Sequence, residues 1–122
     1  LSPPPNAVFT GRVSDGELKC LMEHAAVFAF PSLTEGFGLP PLEAMLLGTP
    51  ALIAPCGAMP EVCGDAALYA APDRPAEWAA ALARLLDDAS LRRTLSRKGL
   101  LQAARYRWSD TAQQYLDLLR EV

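Results

Sequence analysis

The sequence predicts an α/β fold in which helices cover a parallel sheet. Short apolar runs at residues 7–10, 27–30, 50–54 and 67–70 alternate with segments of helical periodicity, and this alternation is typical of strands joined by right-handed helical crossovers. The run at 50–54 is apolar throughout, which suits a strand buried on both faces. With 122 residues, 51% of them hydrophobic, the chain can form one packed domain and is too apolar to be disordered.

The first predicted unit is a strand at 7–10 followed by a helix. Gly11 ends the strand, and Ser14 and Glu17 have the spacing of a capping box, in which each side chain accepts a hydrogen bond from the other's backbone N–H. The helix that begins there carries Leu18, Leu21, Met22 and Ala25 on one face.

The second and third predicted strands, 27–30 and 50–54, enclose another helix. Pro31 ends the second strand; Pro40 and Pro41 can open the helix, which runs to Leu47 and is capped by Gly48. Residues 55–64 are predicted to be a loop with one helical turn, before a fourth strand at 67–70. The rest is predicted as three helices with N-caps at Asp73, Ser90 and Ser109.

Composition and charge exclude several classes of function. The formal net charge is −3, so no overall basic field attracts nucleic acid. Cys20, Cys56 and Cys63 do not have common zinc-site spacing, and we expect reduced structural thiols and no metal. Residues 84–107 hold seven bases and two acids, which predicts either a solvated helix face or a patch for anionic lipid headgroups.

Residues 31–43 combine a strand end, a glycine loop and a helix start. Gly36 and Gly38 allow a ligand to approach the backbone closely, and the N–H groups of Gly38 and Leu39 are placed to bind an anion such as phosphate. The flanking Glu35 and Glu43 would repel phosphate but accept hydrogen bonds from sugar hydroxyls. Together they predict a site for a nucleotide-sugar.

Each of these residues also has an alternative interpretation. Glu43 is then a first-turn acid favoured by the helix dipole, Glu35 a solvated loop acid, and the two glycines turn formers only.

The sequence resembles the group-1, or family-4, retaining glycosyltransferases. The resemblance rests on F-P-S at 30–32, E-G-F-G-L-P at 35–40, L-E-A-M at 42–45 and G-T-P at 48–50, and more weakly on P-E-V at 60–62, G-D-A-A at 64–67 and R-W at 107–108. Two glutamates separated by seven residues are the hallmark of that family. It implies a GT-B fold of two Rossmann-like domains with the active site between them, and metal-independent transfer.

The resemblance also implies roles for single residues. Glu43 would hold the ribose hydroxyls, and Glu35 would act at the donor sugar near the reacting carbon, as the catalytic residue. The backbone of residues 36–39, Gly36, Phe37, Gly38 and Leu39, would line the sugar and diphosphate.

The loop before the first helix resembles the family's base-binding loop. Val13 would offer backbone groups to the base, and Asp15 would accept from guanine, which favours GDP slightly over UDP. Alternatively Asp15 is a helix-cap acid beside Ser14.

The chain is accordingly predicted to be part of a donor-binding domain. Residues 1–6 are a linker or chain start, 7–107 a partial Rossmann-like domain lacking its first two strands, and 108–122 a C-terminal helix. A GDP- or UDP-sugar is the expected donor, with mannose one option, and a saccharide or lipid-linked acceptor would bind the other domain. We expect a cytoplasmic protein, with weak contact to the inner membrane face as a further option.

The isolated chain is expected to be inactive, because the family's diphosphate-binding Arg and Lys lie upstream of the segment that it resembles. The runner-up is a non-catalytic nucleotide- or anion-binding half-domain, and the third option is a structural interaction module. The edge of the strand at 27–30 is predicted to pair either with residues 7–10 or, as we prefer, with another copy of the chain.

Overall fold

The computed structural model describes residues 2–34 and 36–121. Its strands are β1 (Phe28–Phe30), β2 (Ala51–Ile53) and β3 (Ala67–Tyr69). Its α-helices are α1 (Asp15–His24), α2 (Leu39–Leu46), α3 (Met59–Cys63), α4 (Pro75–Asp87), α5 (Ala89–Ala103) and α6 (Trp108–Arg120), and Gly64–Ala66 forms a 3-10 turn.

The three strands form one parallel sheet in the order β1-β2-β3. Phe28 is paired with Ala51, and Ala51 with Ala67. Every residue of β2 is buried, as expected for a central strand with helices on both sides. The predicted parallel sheet and its strands at 27–30, 50–54 and 67–70 are confirmed.

The predicted strand at 7–10 is wrong. These residues belong to no strand, and Val8 and Phe9 remain 86% and 78% exposed. A strand is stabilised by its cross-strand neighbours more than by its own composition, and none of the three strands runs beside this segment. The alternative in which residues 7–10 extend the sheet along β1 is therefore excluded in this structure.

Alternate side chains of β2 enter two apolar layers. Ile53 packs with Leu42, Met45 and Met59 on one face, under α2 and α3. Leu52 packs with Leu85 and Leu95 on the other, under α4 and α5. Helices thus cover both faces of the sheet, as the sequence predicts.

Two close contacts hold the helices at these positions. A Cβ added at Gly99 of α5 would lie 3.1 Å from Cγ of Met45, so the glycine allows α5 to approach α2. The buried Thr49 Oγ1 donates to the carbonyl of Met22 at 2.6 Å and ties the last turn of α1 to the start of β2.

Two of the predicted helix caps, one at a helix start and one at a helix end, are confirmed. The capping box of α1 is confirmed, with Glu17 N to Ser14 Oγ at 3.2 Å and Ser14 N to the Glu17 carboxylate at 2.8 Å. Gly48 follows α2 in the left-handed region at φ 76°, as predicted for its cap.

The N-caps predicted at Asp73, Ser90 and Ser109 are wrong. Pro75 is the first residue of α4, where its fixed φ suits a helix start, so the cap is Arg74. The Asp88 carboxylate accepts from Leu91 N at 2.9 Å and caps α5 before Ser90 is reached. The last helix begins at Trp108, with Arg107 as its N-cap two residues before Ser109 and bonded to Asp110 at 3.0 Å.

Within the described ranges, no helix combines the length and apolar character that a membrane crossing requires.

Candidate functional site

The loops that follow β1 and β2 lie at the carboxyl edge of the sheet, where parallel α/β sheets bind their ligands. The Sγ of Cys56 donates to the carbonyl of Ser32 at 3.1 Å and joins the two loops. The Ser32 hydroxyl donates to the carbonyl of Thr34 at 3.0 Å, within the first loop. These bonds support the backbone that leads into residues 36–39, which we call the glycine segment. Glu35, the predicted catalytic residue, lies outside the described residues.

The glycine segment ends at the start of α2 in a conformation that favours glycine. Gly38 is the N-cap of α2 with φ 93°. Pro40 and Pro41 have no N–H, so Leu39 is the one residue of the first three in α2 that has a backbone donor. The N–H groups of Gly38 and Leu39 are therefore the two backbone donors at the amino end of α2, which is the positive end of its helix dipole.

Replacing Gly38 by alanine should destabilise the fold by about 1–3 kcal/mol. A side chain is strained at positive φ, and the added Cβ would lie 2.6 Å from Sδ of Met59. Urea denaturation measures the loss. Gly16→Ala is the matched control, because nothing lies within 4 Å of a Cβ there and its φ is not positive. Equal stability of the two variants would contradict this account.

Phe37 connects the glycine segment to a distant part of the chain. Its ring packs edge-on against Tyr106, with ring centroids 5.3 Å apart and planes at 81°, a favourable aromatic geometry. Tyr106 N in turn donates to the Ala103 carbonyl at 3.1 Å, after α5. Tyr106 is a site-supporting residue that the sequence analysis missed.

A cleft of about 380 Å³ separates α1 from α2. Its floor is apolar and includes the buried Met22, and its polar groups are two exposed carboxylates and one ammonium. The volume lies within the usual range for small-ligand sites. The lining residues are Asp15, Leu18, Lys19, Met22, Glu43, Leu46 and Leu47.

Glu43 and Asp15, predicted to contact the ribose and the base, line this same cleft. Glu43 is the fifth residue of α2 and lies beyond its first turn, so the helix-dipole interpretation of this residue is wrong. Asp15 lies in the first turn of α1, where the dipole favours an acid; its helix-cap alternative therefore stays open.

Lys19 is a second residue that the sequence analysis missed. It follows Asp15 by four residues on α1, so both side chains lie on one helix face, and it lines the cleft opposite Glu43. That i,i+4 spacing beside a capping box is the signal that could have identified it. A lysine here adds positive charge to a cleft that otherwise has two acids.

The glycine segment and the cleft are adjacent regions of one helix rather than a single cavity. Residues 36–39 do not line the cleft, and Gly38 precedes Glu43 by five residues, about 7.5 Å along the helix axis. Val13 is half-buried before α1 and is also absent from the lining. An elongated ligand is needed to reach both regions.

The cysteines differ in exposure. Cys20 is exposed, with Sγ 3.8 Å from Nδ1 of His24, Cys56 is half-buried, and Cys63 is buried. Burial raises the pKa of the Cys63 thiol to about 11. Among residues 2–34 and 36–121, no three His, Cys, Asp or Glu side chains are grouped closely enough to hold a metal ion.

Comparison with known proteins identifies the family. The model for "Glycosyl transferases group 1" matches residues 2–88. O-antigen chain mannosyltransferase B of Escherichia coli is 38% identical over 109 residues, which is 89% of this chain and 29% of that protein. MMP alpha-(1->4)-mannosyltransferase of Mycolicibacterium hassiacum is 41% identical over 106 residues, covering 84% of this chain and 26% of that protein.

A solved structure supports the same assignment. Sucrose-phosphate synthase from Thermosynechococcus elongatus superposes with a TM-score of 0.83 at 29% sequence identity, over 93% of this chain and 29% of that one. The predicted partial GT-B fold is confirmed, and the chain spans less than a third of the length of these relatives. Because the family model covers well over half of its residues, the chain belongs to the group 1 glycosyltransferases.

Proposed function

We propose that this chain supplies the nucleotide-sugar site of a retaining, metal-independent glycosyltransferase. The observation that carries the proposal is the position of Glu43 and Asp15 on facing walls of one cleft, beside the helix start at Gly38. Mannosyltransferases are frequent among the relatives, which favours a GDP-sugar, with mannose as the transferred sugar.

In this proposal the nucleotide lies along α2. Glu43 accepts hydrogen bonds from two ribose hydroxyls, and Asp15 accepts from the base. The diphosphate extends toward the N–H groups of Gly38 and Leu39, where the helix dipole stabilises negative charge. Glu35 then contacts the sugar hydroxyls, and Gly36 and Phe37 contribute backbone to the sugar side. Val13 offers backbone to the base.

The chain is proposed to bind donor without completing transfer. In a GT-B enzyme the saccharide or lipid-linked acceptor is held by the second domain, and positive charge must stabilise the leaving diphosphate. Lys19 is the single basic side chain in the cleft.

Titration of the 122-residue chain with GDP, UDP and ADP by calorimetry tests the proposal. We expect GDP to bind at least as tightly as UDP, and ADP to bind more weakly than either. Binding without transfer in the complete polypeptide that contains this chain would favour the non-catalytic half-domain. No binding of GDP or UDP would favour the structural interaction module.

We also propose that the chain self-associates through β1. Within the described sheet β1 pairs only with β2, which leaves one edge available to another strand, and the Phe28 and Phe30 rings stack at 5.8 Å. Ala29→Lys, at the exposed centre of β1, should shift the chain from dimer to monomer in light scattering at micromolar concentration. Wild-type chain that is already monomeric there would contradict the proposal.

The cellular location is proposed to be cytoplasmic. The bases of residues 84–107 favour weak contact with anionic lipid at the inner membrane face.

A further inference from the structure

A second cleft, of about 580 Å³, lies at the opposite edge of the sheet from the glycine segment. Ala26 and Pro50, which shortly precede β1 and β2, contribute its walls together with one face of α5. It is therefore at the amino ends of the strands, away from the proposed donor site. The lining residues are Ala25, Ala26, Gly48, Pro50, Ala89, Arg92, Arg93, Ser96 and Arg97. We call it the three-arginine cleft.

The charge of this cleft is entirely positive. Arg92, Arg93 and Arg97 line it without any acidic side chain. Within residues 2–34 and 36–121 none of the three forms an ion pair, although four other bases do: Arg74, Lys98, Arg107 and Arg120. The nearest acid in sequence, Asp88, is bonded to Leu91 N as the cap of α5. Three uncompensated guanidinium groups around one concavity favour an anionic ligand.

Arg92 is held in place before any ligand arrives. Its Nη1 donates to the carbonyls of Leu85 and Leu86 at 2.6 and 2.7 Å, at the end of α4, and the residue is half-buried. These bonds use the hydrogens of one nitrogen and leave Nε and Nη2 as further donors. A preorganised guanidinium loses little rotamer freedom when it binds an oxyanion.

The part of the cleft between Gly48 and Ser96 of α5 stays unfilled, because Gly48 has no side chain. Its φ is 76°, and a Cβ there would lie 3.3 Å from Oγ of Ser96. A larger residue would fill the space next to this hydroxyl. The Ser96 hydroxyl therefore remains available as a neutral hydrogen-bond donor beside the three guanidinium groups.

We propose that the three-arginine cleft is a second ligand site, which binds a phosphate-bearing anion. Guanidinium groups bind phosphate oxygens through paired N–H donors, and the volume accommodates a diphosphate or a phosphorylated headgroup. The shared chemistry is the phosphate group, carried either by a soluble molecule or by an anionic lipid. This site is separate from the proposed donor cleft and does not depend on the donor proposal.

The test uses the 122-residue chain and the double substitution Arg93→Ala/Arg97→Ala. Both side chains are exposed, so the fold should be retained, whereas Arg92 is avoided because it caps α4. Arg84→Ala/Arg105→Ala is the matched control, since it removes the same charge from exposed positions outside the cleft. The probes are pyrophosphate, measured by calorimetry, and sedimentation with vesicles of phosphatidylcholine alone or with phosphatidylglycerol.

We expect the cleft substitution to weaken pyrophosphate binding at least 10-fold and the control less than 2-fold, with GDP affinity unchanged. Pyrophosphate binding that depends on the cleft arginines identifies a soluble ligand. Vesicle binding that requires phosphatidylglycerol and the cleft arginines, without pyrophosphate binding, identifies a lipid headgroup. Equal losses in both double variants, or no binding of either probe, would overturn the proposal. Failure of GDP binding alone would instead count against the donor site.

Discussion

Glu43→Ala should lower the affinity of the chain for GDP at least 10-fold, with little change in the free energy of unfolding. Hydrogen bonds to a charged acceptor are worth about 1.5–3 kcal/mol each, and the proposal assigns ribose hydroxyls to this carboxylate. The side chain is exposed and has no hydrogen bond or ion pair within the described residues, so its removal costs the folded state little. Calorimetric titration and urea denaturation measure the two effects.

Glu23→Ala is the matched control for this experiment. Glu23 is an exposed acid on α1 outside the cleft lining, and its removal changes the net charge by the same amount. We expect nucleotide affinity within 2-fold of the unsubstituted chain. A large loss of stability in Glu43→Ala, with unchanged GDP affinity, would show that the residue is structural.

Raising the pH from 9 to 11 should destabilise the chain by about 2 kcal/mol through Cys63 alone. Its thiol is completely buried, and burial raises its pKa from 9.0 to about 11. The unfolded chain releases this proton near pH 9 while the folded chain retains it, so the folded state binds more protons and stability falls with pH in that window. A pKa difference of about two corresponds to about 2.7 kcal/mol in total. About 2 kcal/mol of it is lost between pH 9 and 11, because the loss begins just below pH 9 and ends just above pH 11.

Tyr69 extends this loss of folding stability to higher pH. Burial, with the nearby charges of Cys63 and Asp65, raises the pKa of its phenol from 10.0 to about 12, and the neutral hydroxyl donates to the Gly64 carbonyl at 2.6 Å. Its contribution to stability is present below pH 10 and disappears as the pH approaches 12.

Urea denaturation between pH 8 and 11 measures this dependence. Cys63→Ala lowers stability at every pH by removing core volume, but it should flatten the decline between pH 9 and 11. Cys20→Ala, at an exposed cysteine, should retain the full decline. The same slope in Cys63→Ala as in the unsubstituted chain would contradict the assignment to the buried thiol.

The fold was predictable where the determining interactions are local. The capping box of α1 involves two residues only three positions apart. The run that contains β2 has no polar residue, and this alone indicates a strand that is buried on both faces. Residues 7–10 show the opposite case, because an apolar run becomes a strand only beside a partner. The missed helix caps arise from competition between neighbouring candidates, such as Asp88 and Ser90, which composition alone does not resolve.

The candidate site was predictable to a similar extent. The glycine segment and Glu43 are recognisable because their spacing along the chain is diagnostic of the family. Tyr106 was not, because its contact with Phe37 joins positions 69 residues apart, and only the packing of the intervening elements brings them together. Lys19 has only its i,i+4 spacing from Asp15 as a signal in the sequence, and its position opposite Glu43 follows from the way α1 is placed beside α2.

The bond between Thr49 and the Met22 carbonyl fastens one end of α1 beside the proposed donor cleft. Met22 is the one buried residue of α1, so the helix is fastened at its carboxyl end, whereas its first turns, with Asp15 and Lys19, are exposed. α2 has four buried residues and forms a fixed wall. Helices with few buried contacts open at lower free energy, so amide protons of α1 should exchange faster than those of α2. We therefore expect the wall proposed to contact the base to be the more mobile of the two, so that nucleotide binding there includes the cost of ordering it.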